Sequence, residues 1–260
     1  MKVVKPKKFL GQHFLTDLQI AQRIADTLDN FVGLPVIEVG PGMGVLTQFL
    51  INKGDLTLVE LDRDSIPYLK ERFPSLEKRI IEADFLRLDL SAIYSGQFCL
   101  IGNYPYNISS QIFFQVLDYK DRIPCCAGML QKEVAERIAS KPGKKAYGIL
   151  SVLLQAWYDV EYLFTVDETV FDPPPKVKSA VVRLTRNNRK CLDCEEKLFK
   201  TVVKTSFNQR RKTLRNSMKP LLGNNCAAYS DPIFDKRPEQ LSVSDFERLT
   251  NITQVNMPSM

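Results

Sequence analysis

Histidine occurs once in this chain, which excludes a site built on several imidazoles. Cysteine is no commoner than six residues, and these do not read as a disulfide framework. Cys99 sits in an apolar run expected to be a buried strand. Cys125 and Cys126 are adjacent and would point to opposite faces of a strand. Cys191 and Cys194 form a lone CxxC, with neither a second CxxC nor a His pair to complete a zinc site. No metal site is expected. No stretch of about 18 apolar residues occurs, which excludes a transmembrane helix. The basic start, Met1 to Lys8, is not followed by an apolar run of signal-peptide length. No internal repeat and no low-complexity segment is found. A cytoplasmic protein with no membrane partner is the expectation.

A hydrophobic fraction of 44% is enough for a sizeable core. The 260 residues fit one large α/β domain with a small appendage. The net charge of +6 is unevenly spread. Between Lys176 and Lys219 there are fourteen Lys/Arg against three Asp/Glu, a local net of +11, so the remainder is net −5. Such a concentrated block points to a polyanionic partner; a solvated helix face is the plainer alternative.

A helix is expected from Asp17 to about Leu28, followed by a strand–turn–helix rhythm. Strands are expected at Val36–Gly40, Leu56–Leu61, Arg79–Asp84, Phe98–Asn103 and Cys125–Leu130, with helices between most of them, such as Val45–Asn52 and Ile108–Leu117. The strands are short and apolar without alternation, as when helices cover both faces. Alternating β and α implies a doubly wound, mostly parallel sheet, a Rossmann-like α/β fold. After Leu130 the rhythm changes. Gln131–Ser140 and Gly148–Trp157 read as helices, and Val160–Val166 and Ser179–Thr185 as strands flanking the rigid Asp172–Pro175 loop. Two strands joined without a full crossover helix suggest an antiparallel pair closing one sheet edge. From Asn187 the pattern is helical, after a polar break at Asn187–Arg189. Domains are therefore expected at 1–186 and 187–260.

Four strand ends carry candidate chemistry. The loop Gly40-Pro-Gly42-Met-Gly44 follows a strand and precedes a helix. Its glycines permit a sharp turn and close approach of a ligand. Val45 occupies the place of the third glycine of a dinucleotide loop. Glu60 lies twenty residues after Gly40, at the end of the next strand, where a carboxylate can accept from both ribose hydroxyls of a nucleoside. Asp84 ends the third strand and could accept from an adenine amino group, with Phe85 against the ring; a helix N-cap is the alternative. Asn103-Tyr104-Pro105-Tyr106 ends the fourth. The exocyclic amine of adenine is a poor nucleophile because its lone pair is delocalised into the ring. The Asn103 side-chain oxygen and the Tyr104 carbonyl can each accept an N–H bond and draw that lone pair back onto nitrogen. Pro105 fixes the turn, and Tyr106 can stack on a flipped-out base. Catalysis would then be positioning and electrostatics around a methyl-donating cofactor, S-adenosylmethionine (SAM).

With these residues the chain closely resembles the ribosomal RNA adenine dimethyltransferase family, whose small-subunit member is the kasugamycin-resistance or dimethyladenosine transferase. The resemblance runs through nearly the whole chain, in FLGQHFL (Phe9–Leu15), EVGPGMG (Glu38–Gly44), VELDRD (Val59–Asp64), GNYPYNIS (Gly102–Ser109), MLQKEVAERI (Met129–Ile138), FDPPPKVKSAVVRL (Phe171–Leu184) and FNQRRKTLRNSM (Phe207–Met218). It implies a SAM-binding domain with a seven-stranded sheet carrying an antiparallel edge strand, plus a small helical RNA-binding domain. It implies transfer of four methyls to two adjacent adenines in the 3′-terminal hairpin of small-subunit rRNA, with a role in small-subunit biogenesis on the pre-30S particle. SAM would contact His13, Leu15, Gly40, Gly42, Glu60, Asp84 and Asn103. Asn103, Tyr104, Pro105 and Tyr106 would form the target-amine pocket. Phe207 looks like the aromatic residue that flanks the target base, and Arg210, Arg211, Lys212 and Arg215 look like a phosphate-contacting surface. The chain departs from the family at His13, usually Asn, where either residue could donate to the SAM carboxylate, and at Tyr104, usually Leu. A monomer is expected, for want of a spare apolar helix face.

Three other readings compete. The sister large-subunit methyltransferases of macrolide resistance share the fold and pocket; the DPPPKVKSAVV and QRRKTLRNS stretches favour the small-subunit branch. A non-enzymatic assembly factor is opposed by the intact Gly loop, Glu60, Asp84 and Asn103-x-Pro-Tyr, although a checkpoint role could accompany catalysis. An NAD oxidoreductase lacks its third glycine and leaves Asn103-x-Pro-Tyr unexplained.

Overall fold

The computed structural model describes residues 4–7 and 10–257. The first three residues of the basic N-terminal run, Lys8, and Phe9 at the head of the FLGQHFL segment lie outside the described residues. The strands are β1 (Phe14–Leu15), β2 (Val36–Val39), β3 (Leu56–Glu60), β4 (Ile80–Glu82), β5 (Cys99–Asn103), β6 (Cys125–Gln131), β7 (Tyr158–Val166), β8 (Phe171–Asp172) and β9 (Ser179–Arg186). The chain divides into two compact units. One runs to Ala135 and resumes over Asp159–Arg186; the other comprises Glu136–Tyr158 and the chain from Asn187 onward.

The first unit is built on a seven-stranded sheet ordered β4-β3-β2-β5-β6-β9-β7. β2 pairs parallel with β3 and β5, β3 with β4, and β5 with β6. Every residue of β2 and β3 is buried, which is why these strands read as unbroken apolar runs. β9 runs antiparallel to β6, from Cys125 opposite Thr185 to Gln131 opposite Ser179. The sheet is mostly parallel, as expected. The antiparallel strand, however, lies one position in from the edge, between β6 and β7. Cys99, Cys125 and Cys126 are free and buried within these strands.

Helix α1 (Leu18–Ala25) opens on Asp17, whose carboxylate accepts the Gln19 and Ile20 N–H groups, and continues as a 3₁₀ turn over Asp26–Phe31. Helix α2 (Thr47–Leu50) is shorter than its apolar pattern suggests. Helices α3 (Ser65–Arg72) and α4 (Ser109–Asp118) follow the next strands. Ile24, Leu28, Leu50, Leu58, Leu69 and Ile101 meet in the core of this unit.

The second unit takes the end of α5 (Lys132–Ile138), then α6 (Ile149–Gln155), α7 (Glu196–Asn208), α8 (Leu214–Ser217), α9 (Lys219–Leu222) and α10 (Val243–Asn256). Its second stretch runs from Asn187 onward. Glu136–Tyr158, expected within an unbroken first domain, groups instead with these helices. Leu150, Val152, Leu153 and Leu154 of α6 are buried, and α6 packs on α7 and α10. That pairing joins segments some fifty residues or more apart in sequence, which local periodicity cannot carry. The polar break also has a structural use. Arg189 pairs with the buried Glu247 of α10, whose carboxylate accepts the Asp193 N–H at 2.9 Å. Among the described residues no helix is long and apolar enough to cross a membrane, and no group of three or more His, Cys, Asp and Glu could hold a metal ion.

Candidate active site

Strand order reverses between β2 and β5, and ligands of doubly wound sheets bind where it does so, beyond the carboxyl ends of the strands. A cleft of about 180 Å³ opens there, more than tenfold the space that one water needs. Its lining includes His13, Leu15, Gly40, Gly42, Glu60, Asp84, Asn103, Tyr104, Pro105 and Tyr106. Ten positions singled out across a hundred residues of sequence are thus brought to one place.

The Gly loop leaves β2 with Gly42 at φ +54°. A Cβ there would lie 2.9 Å from the Phe14 ring, so the site fixes glycine by both conformation and space. Glu60, 4% exposed, closes the loop from the neighbouring strand. Its Oε2 accepts the Gly42 N–H at 2.9 Å and its Oε1 accepts the Asp62 N–H at 2.8 Å. Burial holds its carboxyl above the ordinary range, opposed by these backbone N–H groups. A carboxylate oxygen can accept more than one bond, so both Glu60 oxygens keep capacity for a ligand.

Asp84 realises its capping alternative. Its Oδ1 accepts the Leu86 N–H at 3.0 Å, starting the 3₁₀ turn Phe85–Arg87, and Arg87 approaches its Oδ2 at 3.5 Å. It also lines the cleft with Phe85. Asn103 ends β5, and its Nδ2 donates to the His13 carbonyl at 3.0 Å. That bond orients the amide and leaves Oδ1 accepting no hydrogen bond among the described residues. Pro105 accepts the Ile108 N–H at 3.2 Å through its carbonyl. The Tyr106 hydroxyl pairs with Ser179, and its ring lies 5.3 Å from that of His13.

Tyr104, the departure from the family's leucine, turns its side chain into the core. Its hydroxyl donates to the Ala127 carbonyl at 2.7 Å, and its ring meets Phe113 edge-on. A Cβ on Gly128 would lie 2.6 Å from that ring, so the larger side chain is housed against a bare backbone. His13, the other departure, donates from Nδ1–H to the Pro173 carbonyl at 2.8 Å. The neutral ring then has no proton on Nε2. The expected side-chain donation toward a cofactor carboxylate is therefore open only to the imidazolium.

Sequence reasoning passed over Glu38 and the anchoring of the N-terminal segment. Glu38 lies on the buried strand β2, lines the cleft, and accepts from the Thr47 hydroxyl at 2.7 Å. Burial pushes its carboxyl up to about 8. A carboxyl inside the run Val36-Ile37-Glu38-Val39 was the available signal. The segment Leu10–Leu15 forms one wall of the cleft and is tied down at several points. Lys7 meets Asp62 at 2.5 Å and Asp64 at 2.7 Å, Gln12 donates to Asp62 at 2.9 Å, and β1 pairs with β8. Burial alone would raise the Asp62 carboxyl, but Lys7, Gln12 and the Asp64 N–H together hold it below the ordinary range.

The remaining candidates lie in the helical unit. Phe207 ends α7 and stacks on Phe246 at 5.9 Å, with Tyr147 at 6.4 Å. Arg210, Arg211 and Lys212 occupy the turn between α7 and α8 rather than a helix face. Arg211 and Lys212 are exposed, Arg210 donates to the Lys145 carbonyl, and Arg215 is held by Asp235 at 2.7 Å.

Against known proteins, the family model described as ribosomal RNA adenine dimethylase matches residues 3–254. A protein of Parabacteroides distasonis named ribosomal RNA small subunit methyltransferase A is 75% identical, over 99% of this chain and 97% of its own. A Porphyromonas gingivalis protein of the same name is 64% identical, over 98% of this chain and all of its own. Among solved structures, a dimethyladenosine transferase from Plasmodium falciparum superposes with a TM-score of 0.77 at 22% identity, covering 94% of this chain and 99% of that one. The 23S rRNA methyltransferase ErmE gives 0.68 at 26% identity, covering 92% and 99%.

Proposed function

The chain belongs to the ribosomal RNA adenine dimethylase family, and on that premise we propose that it moves methyl groups from SAM to N6 of two adjacent adenines in the 3′-terminal hairpin of small-subunit rRNA. Each adenine receives two methyls, on the assembling particle in the cytoplasm. The relative at 75% identity over nearly the full length favours the small subunit over the large-subunit alternative, for which the similarity is 26%.

The cofactor reading is supported by the cleft itself. It has a glycine at Gly42 where an added Cβ would press on the Phe14 ring of the cleft wall, and a buried carboxylate at Glu60 with acceptor capacity left on both oxygens. Glu60 would take the ribose hydroxyls, Asp84 the adenine amine, and Gly40, Leu15 and the His13 backbone the remainder of the molecule. When bound, SAM supplies an electrophilic methyl on a sulfonium.

The observation that carries the function is Asn103, with its Nδ2 committed to the His13 carbonyl and its Oδ1 left over as an acceptor. Asn103 Oδ1 and the Tyr104 carbonyl accept the two N–H bonds of the target amine and hold its lone pair out of the ring. Pro105 fixes the carbonyl's direction, and Tyr106 supplies a face for the extruded base. The product ammonium is acidic enough to lose its proton to water, so no histidine base is required. In the helical unit, Phe207 and the run Arg210, Arg211 and Lys212 would meet RNA, with Arg215 bracing the turn through Asp235.

Asn103→Ala should lower methyl transfer by about a thousandfold, the scale of losing a preorganised polar contact to the reacting group. Particle binding, measured on the same preparation, should stay within a few fold of the parent. Near-normal turnover in that variant would remove Asn103 from the chemistry.

A further inference from the structure

Strand β9 runs against its neighbour β6 in the interior of the sheet, and its direction matters to the cleft. A parallel strand brings its carboxyl end to the edge where ligands bind; β9 brings its beginning there. The register fixes how far it reaches. Asn103 lies opposite Met129, and Met129 opposite Val181. Ser179 stands two residues earlier on β9, opposite Gln131, so it lies roughly 7 Å beyond the Asn103 row, toward the turn that leaves β5. The start of β9 is pinned in place. The Lys132 N–H donates to the Lys178 carbonyl at 2.9 Å, and the Lys178 ammonium meets Asp167 at 3.0 Å.

Ser179 is fully buried, and its hydroxyl pairs with the phenol oxygen of Tyr106. Among the described residues that hydroxyl has no other partner. Tyr106 is half-buried and lines the cleft. Two further contacts hold it. The Ser109 hydroxyl donates to its backbone carbonyl at 3.2 Å, and the His13 ring lies 5.3 Å from its own, tilted by 30°. The first of these holds the backbone, and the second leaves the ring free to slide. A tyrosine side chain turns about two torsions, and a tether at the phenol oxygen, its far end, restrains both.

We propose that Ser179 is a positioning residue for methyl transfer, which fixes the Tyr106 ring as a preformed platform for the target base. This rests on the function proposed above, in which Tyr106 faces the extruded adenine. A platform ordered before the base arrives removes an ordering cost from its capture. The target amine then meets the donor methyl in one geometry rather than several. Ser179 touches neither base nor cofactor and acts through Tyr106 alone. A buried hydroxyl paired only to satisfy itself would affect folding and leave turnover unmoved.

The test measures single-turnover transfer from SAM to unmethylated small subunits, both saturating, for the parent, Ser179→Ala, Tyr106→Phe, the double variant and Ser179→Thr. SAM affinity is measured on the same proteins by calorimetry. Ser179→Ala and Tyr106→Phe should each slow transfer by about tenfold, the scale of one hydrogen bond, with SAM affinity unchanged. The double variant should be no slower than either single, because both changes cut one contact. Ser179→Thr keeps the hydroxyl and should restore most of the rate. Parental transfer by Ser179→Ala would overturn the proposal. So would losses that multiply in the double variant, since Ser179 would then act by another route. Where Ser179→Ala also loses SAM binding, its fold is damaged and Tyr106→Phe decides, because it cuts the same bond from the cleft side. Parental transfer there overturns the proposal, and slowed transfer with normal SAM affinity supports it. Absent transfer in the parent would sink the functional reading, whereas normal transfer in the parent and in every variant sinks the positioning role alone.

Discussion

A carboxyl on a fully buried strand has to be answered by something, and at Glu38 the answer is one hydroxyl, from Thr47. One neutral hydrogen bond does not offset the burial of a charge, so the group is held up to about 8, from an ordinary 4.5. Native protein therefore keeps a proton at Glu38 that the unfolded chain has released over the window between those values. Stability is fully present below the lower value and is lost as pH rises toward the upper one. Glu38→Gln keeps an acceptor for Thr47 and removes the titration. Denaturant unfolding of the cofactor-free protein should show the parent losing stability from pH 5 to pH 8, by up to a few kcal/mol, with the variant flatter. Parallel profiles would mean that Glu38 is charged in the native state. At the residue scale much was legible: Glu60, Asp84 and Asn103 stand at strand ends because polar groups there break an apolar run. Glu38 was missed because the same run hides a single acid, and the tautomer of His13 was missed because it depends on a carbonyl 160 residues away.

At the scale of elements, the N-terminal wall of the cleft is anchored by Leu15 in the core and by a set of polar ties. Asp62 gathers Lys7 and Gln12 with its carboxylate, and its backbone N–H reaches Glu60, so one buried residue links the wall to the candidate ribose acceptor. Asp62→Asn should raise the KM for SAM several fold and leave kcat at saturating cofactor nearly unchanged, the signature of binding lost equally in ground and transition states. Lys7→Ala in the same background should add less than it does alone, because both changes cut one contact. A fall in kcat with KM unmoved would place Asp62 in the chemistry instead. The central strands were readable because burial on both faces leaves them uniformly apolar. The wall was not, because β1 and β8 are two residues each and exist only through a pairing across more than 150 residues. Helix α2 was overestimated because its apolar pattern continues past the hydrogen-bonded turn, at Ile51.

At the scale of the whole molecule, one unit carries the cleft and the other carries the turn with Arg210, Arg211 and Lys212. The basic block was visible as a local charge excess, but that Arg210 within it donates to the Lys145 carbonyl, 65 residues away, is set only by folding. The segment Glu136–Tyr158 was assigned to the wrong side for the same reason, since its buried face meets helices that follow much later in the chain. The central claim is that this chain dimethylates adenine in small-subunit rRNA. The most direct measurement is transfer of labelled methyl from SAM to unmethylated small subunits, large-subunit precursors and an unrelated RNA in parallel, with nucleoside analysis of the products. The account predicts N6,N6-dimethyladenosine in the small subunit and background label in the other two. Label confined to the large subunit, or tight particle binding with no transfer anywhere, would contradict it.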